Sequence, residues 1–505
     1  MTRFGFVIDQ RRCIGCHACT VACKAEHGVE LGVFRTWVKY IEQGEFPDTR
    51  RHFSVLRCNH CDDAPCVTVC PVTALYKRED GIVDFDGDRC IGCKACMNAC
   101  PYDALYIDPK SQTAAKCNFC AHKVDVGLKP ACETVCPAEA IISGDLDDPM
   151  SEVSRLINVV PSRVRAPEQK TGPNVFYLGA HEAALNPLMV GGDGAYVTTE
   201  MSASQKVKLA PLTAGASARA LTDVSHPPPW GWRVSSYFLS KGIAAGSMLL
   251  AVLLLVVGAG GSALADIVPG VIALTGIAVT GVFLIWDLKQ PKRFMYLMTR
   301  PQWRSWLAIG AQCINLAALV AAVFTVAAIF GLDDLRDALR WAMVPSAVML
   351  AAYTAFLFGQ CEGRDLWQSP LLAPHTVVNA VVAGAGTLAI AALFTDAPAA
   401  LGRTLGWALV LGVVSSAAII ALDTFGSHPT AQCERAARNL WRDIYARRFW
   451  VGGVLAGLVA PALLGAAFLA FGGAGTLAAG GALALVGLWF YEDAWVRAGQ
   501  SVPLS

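Results

Sequence analysis

The residues of this chain that could do chemistry are first of all its cysteines, because sixteen of the nineteen fall between positions 13 and 136. They form four quartets with short, repeated spacings. The quartets are Cys13, Cys16, Cys19 and Cys23; Cys58, Cys61, Cys66 and Cys70; Cys90, Cys93, Cys96 and Cys100; and Cys117, Cys120, Cys132 and Cys136. Proline follows the last cysteine of the second, third and fourth quartets, and Lys24 follows Cys23. Cys313, Cys361 and Cys433 lack such partners and are interpreted as ordinary buried thiols.

Quartets with this spacing are typical of ligands to iron–sulfur clusters. Three thiolates on a tight loop can hold three irons of one [4Fe–4S] cubane, and the fourth can reach the other cluster of a pair. Proline at that point restricts the backbone. Disulfides would leave the Cys-Pro endings unexplained, and zinc would use pairs of cysteines rather than quartets. The pattern therefore predicts four [4Fe–4S] clusters in two lobes, in which the second and third quartets share clusters and the first and fourth form the outer pair.

The elements that position these cysteines must belong to a polar domain attached to a membrane bundle. Only 16% of the residues are charged, against about 25% in soluble domains. From residue 230 onward, eight apolar runs rich in Gly and Ala are each long enough to cross a bilayer, which takes about 20 residues. The predicted spans are 234–258, 267–286, 305–330, 340–360, 374–395, 403–422, 449–471 and 474–491.

The expected fold class is an α+β double ferredoxin-like iron–sulfur domain followed by an all-α membrane bundle of eight transmembrane helices. The iron–sulfur domain is predicted over residues 1–150 and the membrane anchor over residues 230–505. Residues 151–229 contain no cysteine and become rich in Pro, Ala and Ser toward their end. They are interpreted as a docking extension followed by a linker.

Residues 1–200 resemble the four-cluster electron-transfer subunit of complex iron–sulfur molybdoenzymes, which include the polysulfide and dimethyl sulfoxide reductases. The resemblance implies that the first three cysteines of one quartet join the last cysteine of its partner. The implied ligand sets are Cys13, Cys16, Cys19 and Cys136; Cys117, Cys120, Cys132 and Cys23; Cys58, Cys61, Cys66 and Cys100; and Cys90, Cys93, Cys96 and Cys70. It also implies a separate molybdopterin-containing catalytic subunit, so no substrate-converting residue is expected in this chain.

The membrane half resembles the quinone-binding anchor of polysulfide-reductase type, in residues 229–246, 287–294 and 353–357. In that family a His before the first helix and a Tyr in the fourth bind the quinone head group, which implies His226 and Tyr353 here. Asp287 and Arg293, at the end of the second span, are further quinone candidates. A quinone carbonyl needs hydrogen-bond donors, and histidine titrates near neutral pH. The alternatives are a linker histidine, a packed tyrosine and an interfacial structural role for Asp287 and Arg293.

The expected function is electron transfer between that catalytic subunit and membrane menaquinone or ubiquinone, in the respiration of a sulfur compound such as sulfite. No haem is expected, because a bis-histidine haem needs two ligands in the bilayer and only His375 of nine histidines lies near a span. The alternatives are a formate-dehydrogenase-type partner, an ion-translocating module and a tether without quinone chemistry. The ion-translocating module is disfavoured because almost no ionisable residue is expected deep inside the spans.

The basic residues of the membrane loops predict that the iron–sulfur domain faces the cytoplasm, on the cytoplasmic (inner) membrane. Twelve lie on the side of the iron–sulfur domain and three on the other. The twelve are Lys289, Lys292, Arg293, Arg300, Arg304, Arg364, Arg435, Arg438, Arg442, Arg447, Arg448 and Arg497, and the three are Arg336, Arg340 and Arg403. The N-terminus has no apolar signal region, and Cys13 follows Arg11 and Arg12 where an export signal would be apolar. A net charge of +1 gives no general attraction to nucleic acid.

Overall fold

The computed structural model describes residues 2–191, 195–196, 218–257, 261–395 and 399–505. Much of the predicted linker therefore lies outside the described residues. The apolar strand Phe4–Asp9 is the centre of the first sheet, because its side chains are buried on both faces. It pairs antiparallel with Ile141–Asp145 and parallel with Val175–Leu178, which in turn pairs with Ser162–Arg163. The docking extension thus supplies two strands to the cysteine-rich domain.

A second sheet is built on the hairpin Thr36–Gln43 and Arg50–Arg57. Ala218–Asp223, which follows the undescribed part of the linker, pairs antiparallel with the first strand of this hairpin. Val190–Gly191 pairs parallel with Ala218–Asp223. The short strand Ala195–Tyr196 also pairs with Ala218–Asp223. The linker region therefore returns to the cysteine-rich domain before the chain enters the bundle.

The second and third quartets occupy two similar units, each a short helix, a Cys-Pro step and a small antiparallel hairpin. Proline cannot continue a helix or donate to a ladder, so the chain turns at this step and starts the hairpin. The first unit comprises Pro65–Thr68, Leu75–Lys77 and Val83–Phe85, and the second comprises Ala95–Ala99, Leu105–Ile107 and Ala114–Lys116. Short helices of the outer pair are Ala18–His27, Ala121–Val124 and Ala131–Thr134, and Glu152–Val159 follows them.

Eight helices of the described residues are long and apolar enough to cross a membrane. The first to eighth membrane helices are Trp232–Val256, Val268–Asp287, Trp306–Ile329, Asp333–Gly359, Leu372–Phe394, Ala399–Phe425, Arg448–Phe471 and Ala474–Gly499. The predicted fold class is thereby confirmed. The fourth helix starts before the predicted 340 and the eighth continues beyond 491, because a helix can extend past its apolar run into polar turns. The amphipathic helix Ala431–Trp441 lies between the sixth and seventh.

The first and fifth membrane helices cross at a pair of glycines. A Cβ atom at Gly246 would lie 1.7 Å from the carbonyl oxygen of Ala380, and one at Gly384 would lie 2.3 Å from the backbone of Gly246. Small residues let helix backbones approach closely in lipid. The Gly-rich composition of the spans therefore has a direct packing role at this crossing, which brings polar residues of the two helices together.

Candidate functional site

The four quartets have a common backbone feature in the loop that carries their first two cysteines. The residue just before the second cysteine has a positive φ in every quartet. These residues are Gly15, His60, Gly92 and Phe119, with φ of +71°, +46°, +69° and +62°. Glycine adopts this left-handed conformation without a Cβ penalty, whereas His and Phe must be held there by their surroundings. The shared turn wraps each loop so that its cysteines face the same volume.

The sixteen quartet cysteines come together as four thiol sets, identified by which sulfurs interact electrostatically. The first set is Cys13, Cys16, Cys19 and Cys136, and the second is Cys23, Cys117, Cys120 and Cys132. The third set is Cys58, Cys61, Cys66 and Cys100, and the fourth is Cys70, Cys90, Cys93 and Cys96. The family resemblance implies the same four groups, and their role as cluster ligands stays a prediction.

The four thiol sets follow one another in a line. Cys19 of the first set interacts with Cys132 of the second. Cys117 of the second set interacts with Cys58 of the third. Cys96 of the fourth set interacts with Cys66 of the third. Consecutive sets are therefore neighbours, as a path for electrons requires.

The donor atoms fit iron–sulfur clusters. The fourth thiol set lines a single cavity, and backbone N–H groups of Ala74 and Ala140 donate to the sulfurs of Cys70 and Cys136 at 3.2 Å. Such hydrogen bonds stabilise thiolate ligands. Burial raises the pKa of the Cys66 thiol well above its ordinary value, so a cationic partner such as iron is needed to ionise it. Within the described residues, no three His, Cys, Asp or Glu side chains are grouped as ligands for one metal ion.

Arg57 is a buried cation between the first and second thiol sets. Its Nη1 donates to the Cys132 sulfur at 3.2 Å, and its guanidinium lies 4.5 Å from the ring centre of Phe6. It also interacts with Cys19 and Cys117. Sequence reasoning missed this residue, although its position directly before Cys58 at the end of a strand was a signal. Its full positive charge acts on both neighbouring sets.

The fourth thiol set docks on the membrane bundle through the loop that follows the second membrane helix. Arg293 donates to the carbonyl oxygens of Gly87 and Cys90 at 2.6 and 3.0 Å. The backbone N–H of Lys289 donates to Gly92 at 3.2 Å. Arg293, predicted as a quinone residue, therefore contacts the backbone at the start of the third quartet, whose Cys90 belongs to the fourth thiol set. This contact agrees with the structural role that was left open for it.

Further contacts hold the fourth thiol set against the membrane bundle. Asp287 pairs with Lys94 at 2.8 Å, and the indole N–H of Trp230 donates to the Cys93 carbonyl at 3.1 Å. The backbone N–H of Gly363, after the fourth membrane helix, donates to Ala99 at 3.1 Å. Loops from one end of the bundle thus hold the Cys90–Cys100 segment from two sides.

A wide cavity, here called the interdomain cavity, lies between the cysteine-rich domain and the bundle. His226 and Asp287 both line it, together with Lys94 next to the fourth thiol set. The His226 ring stacks obliquely on Trp37, with ring centres 5.1 Å apart. Two of the four predicted quinone residues therefore share one cavity with Lys94, which adjoins Cys93 of the fourth thiol set.

Tyr353 lies apart from this cavity, inside the bundle. Its ring packs against Gly310 of the third membrane helix, where a Cβ would lie 2.3 Å from the ring. The Lys241 ammonium is 4.9 Å from the ring centre. Tyr237 lies between the two regions, because it interacts electrostatically with both Tyr353 and Asp287. Tyr353 is thus enclosed by packing and does not line the interdomain cavity.

The expectation that the spans hold almost no ionisable residue is wrong. Several charged side chains are buried within the membrane helices, where they pair with residues distant in sequence or one turn away on the same helix. Arg340 of the fourth helix pairs with Asp266, and Asp493 of the eighth pairs with Arg448 and Arg497. Lys241 and Glu492 are buried as well. Sequence reasoning placed the eighth span short of Glu492 and overlooked Lys241, the lysine within the first.

Comparisons with known proteins agree with both resemblances. Residues 50–146 match the 4Fe-4S dicluster domain, and residues 221–501 match the family described as Polysulphide reductase, NrfD. A tetrathionate reductase subunit of Salmonella typhimurium is 47% identical over 191 residues, which cover 37% of this protein and 76% of that one. A polysulfide reductase subunit of Wolinella succinogenes is 39% identical over 177 residues, covering 34% and 93%. An iron–sulfur subunit of Halobacterium salinarum, named for dimethyl sulfoxide reductase, is 39% identical over 219 residues, covering 37% and 83%.

Proposed function

Because this protein belongs to the polysulphide reductase NrfD family, with a 4Fe-4S dicluster domain fused ahead of its membrane half, we propose that it carries electrons between a molybdopterin-containing catalytic subunit and membrane quinone. The observation that supports this most directly is the line of four thiol sets. Its fourth set is held by the loops of the membrane bundle, and its first set includes the exposed Cys16. One end of the line therefore meets the membrane and the other meets solvent.

Four [4Fe–4S] clusters, one in each thiol set, would supply the one-electron steps along this line. The sixteen quartet cysteines are the proposed ligands. The protein's own residues isolate and tune these sites: backbone N–H groups donate to sulfur, and Arg57 places a positive charge between the first and second sets. The N–H groups and the Arg57 charge would both stabilise the reduced, more negative state of a cluster.

The exposed end of the line is the proposed docking site of the catalytic subunit. Beside Cys16, the apolar side chains of Ile14 and Val21 are 60% and 64% exposed, which is typical of surfaces that a partner covers. The relatives are named as subunits of tetrathionate, polysulfide and dimethyl sulfoxide reductases, so a sulfur compound is the proposed substrate class. Sulfite oxidation and a formate-dehydrogenase-type partner remain candidates within this scheme.

The interdomain cavity is the proposed quinone site, for menaquinone or ubiquinone and without haem. Asp287 and His226 line it and can donate or accept a proton at a quinone oxygen. Lys94 joins this cavity to the fourth thiol set, because it adjoins Cys93 in sequence and pairs with Asp287 at 2.8 Å. Electrons would thus pass from the fourth set directly to the quinone head group. Tyr353 does not line this cavity, so it would act on the quinone indirectly, through Tyr237.

The proposed location is the cytoplasmic membrane with the thiol sets on the cytoplasmic side. Arg293 and Arg364 are occupied in docking, since Arg293 binds the carbonyl groups of Gly87 and Cys90 and Arg364 lies 3.7 Å from Asp103. The remaining basic residues on that side still outnumber those opposite, where Arg336 and Arg340 pair with Asp266. The excess of basic residues on the side of the thiol sets therefore remains when Arg293 and Arg364 are left out of the count.

The proposed function is tested by purifying the tagged protein with its partners from membranes, without oxygen. We expect about sixteen iron atoms per polypeptide, a large partner subunit with molybdenum or tungsten, and clusters that quinone reoxidises after chemical reduction. About sixteen iron atoms without such a partner would instead indicate a stand-alone quinone-linked module. Clusters that quinone leaves reduced would contradict the proposed quinone reaction.

Asp287→Asn should slow the reoxidation of the clusters by quinone about 100-fold, because a proton donor and acceptor at the quinone is lost. Asparagine can keep the hydrogen bond to Lys94, so the iron content should stay unchanged. Stopped-flow spectroscopy of the reduced complex measures the rate. Asp334→Asn, at an exposed position on the opposite side of the bundle, is the matched control and should react like the wild type. Equal rates for the two variants would show that quinone binds elsewhere.

A further inference from the structure

A small polar cavity, here called the buried chamber, lies inside the bundle between the first, fifth and eighth membrane helices. Its lining includes the polar side chains of Lys241, His375, Thr376, Asn379, Tyr491 and Glu492. Its interior has room for about two water molecules. Polar side chains that face a space of this size, in lipid, point to water and protons as its contents.

The two charged groups of the buried chamber differ in their hydrogen bonds: Lys241 has partners, and one oxygen of Glu492 has none. The Lys241 ammonium donates to the carbonyl oxygen of Ala351 at 2.9 Å and to the hydroxyl of Thr354. Glu492 Oε2 is buried and has no hydrogen-bond partner within the described residues. A buried carboxylate without a partner is costly, and the cost falls when the group binds a proton or a water. Lys241 interacts with Glu492 across the chamber and offers the opposite charge.

Polar side chains continue from the buried chamber in two directions. On one side, Tyr237 interacts electrostatically with Glu492 and with Asp287, which lines the interdomain cavity. On the other side, His375 Nε2 is 3.3 Å from the hydroxyl of Ser416 in the sixth membrane helix. The Ser416 hydroxyl donates to the side-chain oxygen of Asn379 at 2.8 Å. The chamber therefore lies between the proposed quinone site and the interior of the second half of the bundle.

We propose that the buried chamber is a proton-loading site that exchanges one proton with quinone, an inference that rests on the proposed function. Reduction of one quinone takes two electrons from the clusters and two protons, and clusters carry no protons. One proton comes from the Glu492 carboxyl, and the other enters through the interdomain cavity that His226 and Asp287 line. The Glu492 carboxyl releases one proton through the Tyr237 hydroxyl and Asp287 to a quinone oxygen. Glu492 then becomes a carboxylate opposite the Lys241 ammonium and takes up a proton again from the water phase, on the side of the chamber that His375 lines. Oxidation of quinol reverses each transfer.

The Lys241 ammonium is the charge that acts most directly on Glu492. The other titratable groups of this region interact with Glu492 itself, interact with a neighbour of it, or line the same chamber. They come from six membrane helices and are Tyr237 of the first, Asp287 of the second, Tyr353 of the fourth, His375 of the fifth, Asp423 of the sixth and Tyr491 of the eighth. Asp493, next to Glu492, faces away and pairs with Arg448 and Arg497. Removing Glu492 therefore tests the chamber without breaking that ion-pair network.

The test compares Glu492→Gln with the wild-type complex by infrared difference spectroscopy, as the clusters and quinone are reduced and reoxidised. We expect the wild type to show a carbonyl band from a carboxyl group that changes protonation, and the variant to lose it. Cluster spectra and iron content should be unchanged, and quinone reduction should slow about tenfold. Glu434→Gln, at a glutamate exposed to 52% on the helix Ala431–Trp441, should keep the band.

A band that persists unchanged in Glu492→Gln would overturn the proton-loading site while leaving the quinone reaction in place. A wild-type complex that does not react with quinone would overturn the proposed function and this inference together. If Glu492→Gln fails to assemble, Lys241→Met is measured instead. This variant keeps the Glu492 carboxyl and removes the ammonium charge opposite it. The inference then requires the band to move, and a band at the wild-type position would contradict it.

Discussion

Replacing Cys96 with alanine is expected to remove about four iron atoms per polypeptide and to reduce electron transfer to quinone by at least about 100-fold. Cys96 is buried and lines one cavity with Cys70, Cys90 and Cys93. Its thiol set is the one that the bundle loops contact through Arg293. Loss of the cluster proposed there would interrupt the path of electrons at its membrane end. Even the outer hydrogen-bond partners of a metal site cost about 10- to 100-fold when removed, and Cys96 is a proposed ligand.

The measurements are iron analysis, electron paramagnetic resonance of the reduced complex and the rate of reoxidation by quinone. The first three clusters should still be reduced from the catalytic side, so the loss is confined to one signal. Cys433→Ala is the matched control, because Cys433 is equally buried but belongs to the helix Ala431–Trp441. It should keep about sixteen iron atoms. Full iron and an unchanged quinone rate in Cys96→Ala would refute the assignment of the fourth thiol set.

Replacing Arg57 with leucine is expected to lower the midpoint potential of the cluster proposed at the second thiol set by about 100 mV. A unit charge about 7 Å away, at an effective dielectric constant of about 20, is worth roughly 2.4 kcal/mol. For a one-electron couple, 59 mV corresponds to about 1.4 kcal/mol. The potential falls because the guanidinium stabilises the more negative, reduced cluster. The lost hydrogen bond to the Cys132 sulfur, 3.2 Å long, acts in the same direction.

A redox titration followed by electron paramagnetic resonance measures this shift. The signal of the first thiol set should move in the same direction, because Arg57 also interacts with Cys19. Arg57→Lys keeps the charge and should recover part of the potential. Arg51→Leu is the matched control on the same strand, since that side chain is 52% exposed and solvent screens its charge. Equal potentials in Arg57→Leu and Arg51→Leu would show that the buried charge does not act on the cluster.

The sequence alone was enough to predict the two halves of this protein, because both depend on residues close together along the polypeptide. Cysteine spacing is a local signal: Cys90 and Cys93 lie on one loop, Cys96 lies in the short helix that follows it, and the Cys-Pro step comes directly after that helix. The eight spans are equally local, since about 20 consecutive apolar residues are needed to cross a bilayer. The family resemblance extended this to the membership of the thiol sets, which joins cysteines as distant as Cys13 and Cys136.

Only the tertiary structure decided where the charged groups act, because these contacts join residues far apart in the sequence. Arg293 resembled a quinone residue by position, yet it binds the carbonyl of Cys90, which belongs to the cysteine-rich domain. Arg57 acquires its role from Cys132, on the other side of that domain. Lys241 and Glu492 meet across one cavity although they begin and end the membrane half. Apolar patterning marks which segments enter the bilayer, but the partner that a buried charge finds there depends on helix packing.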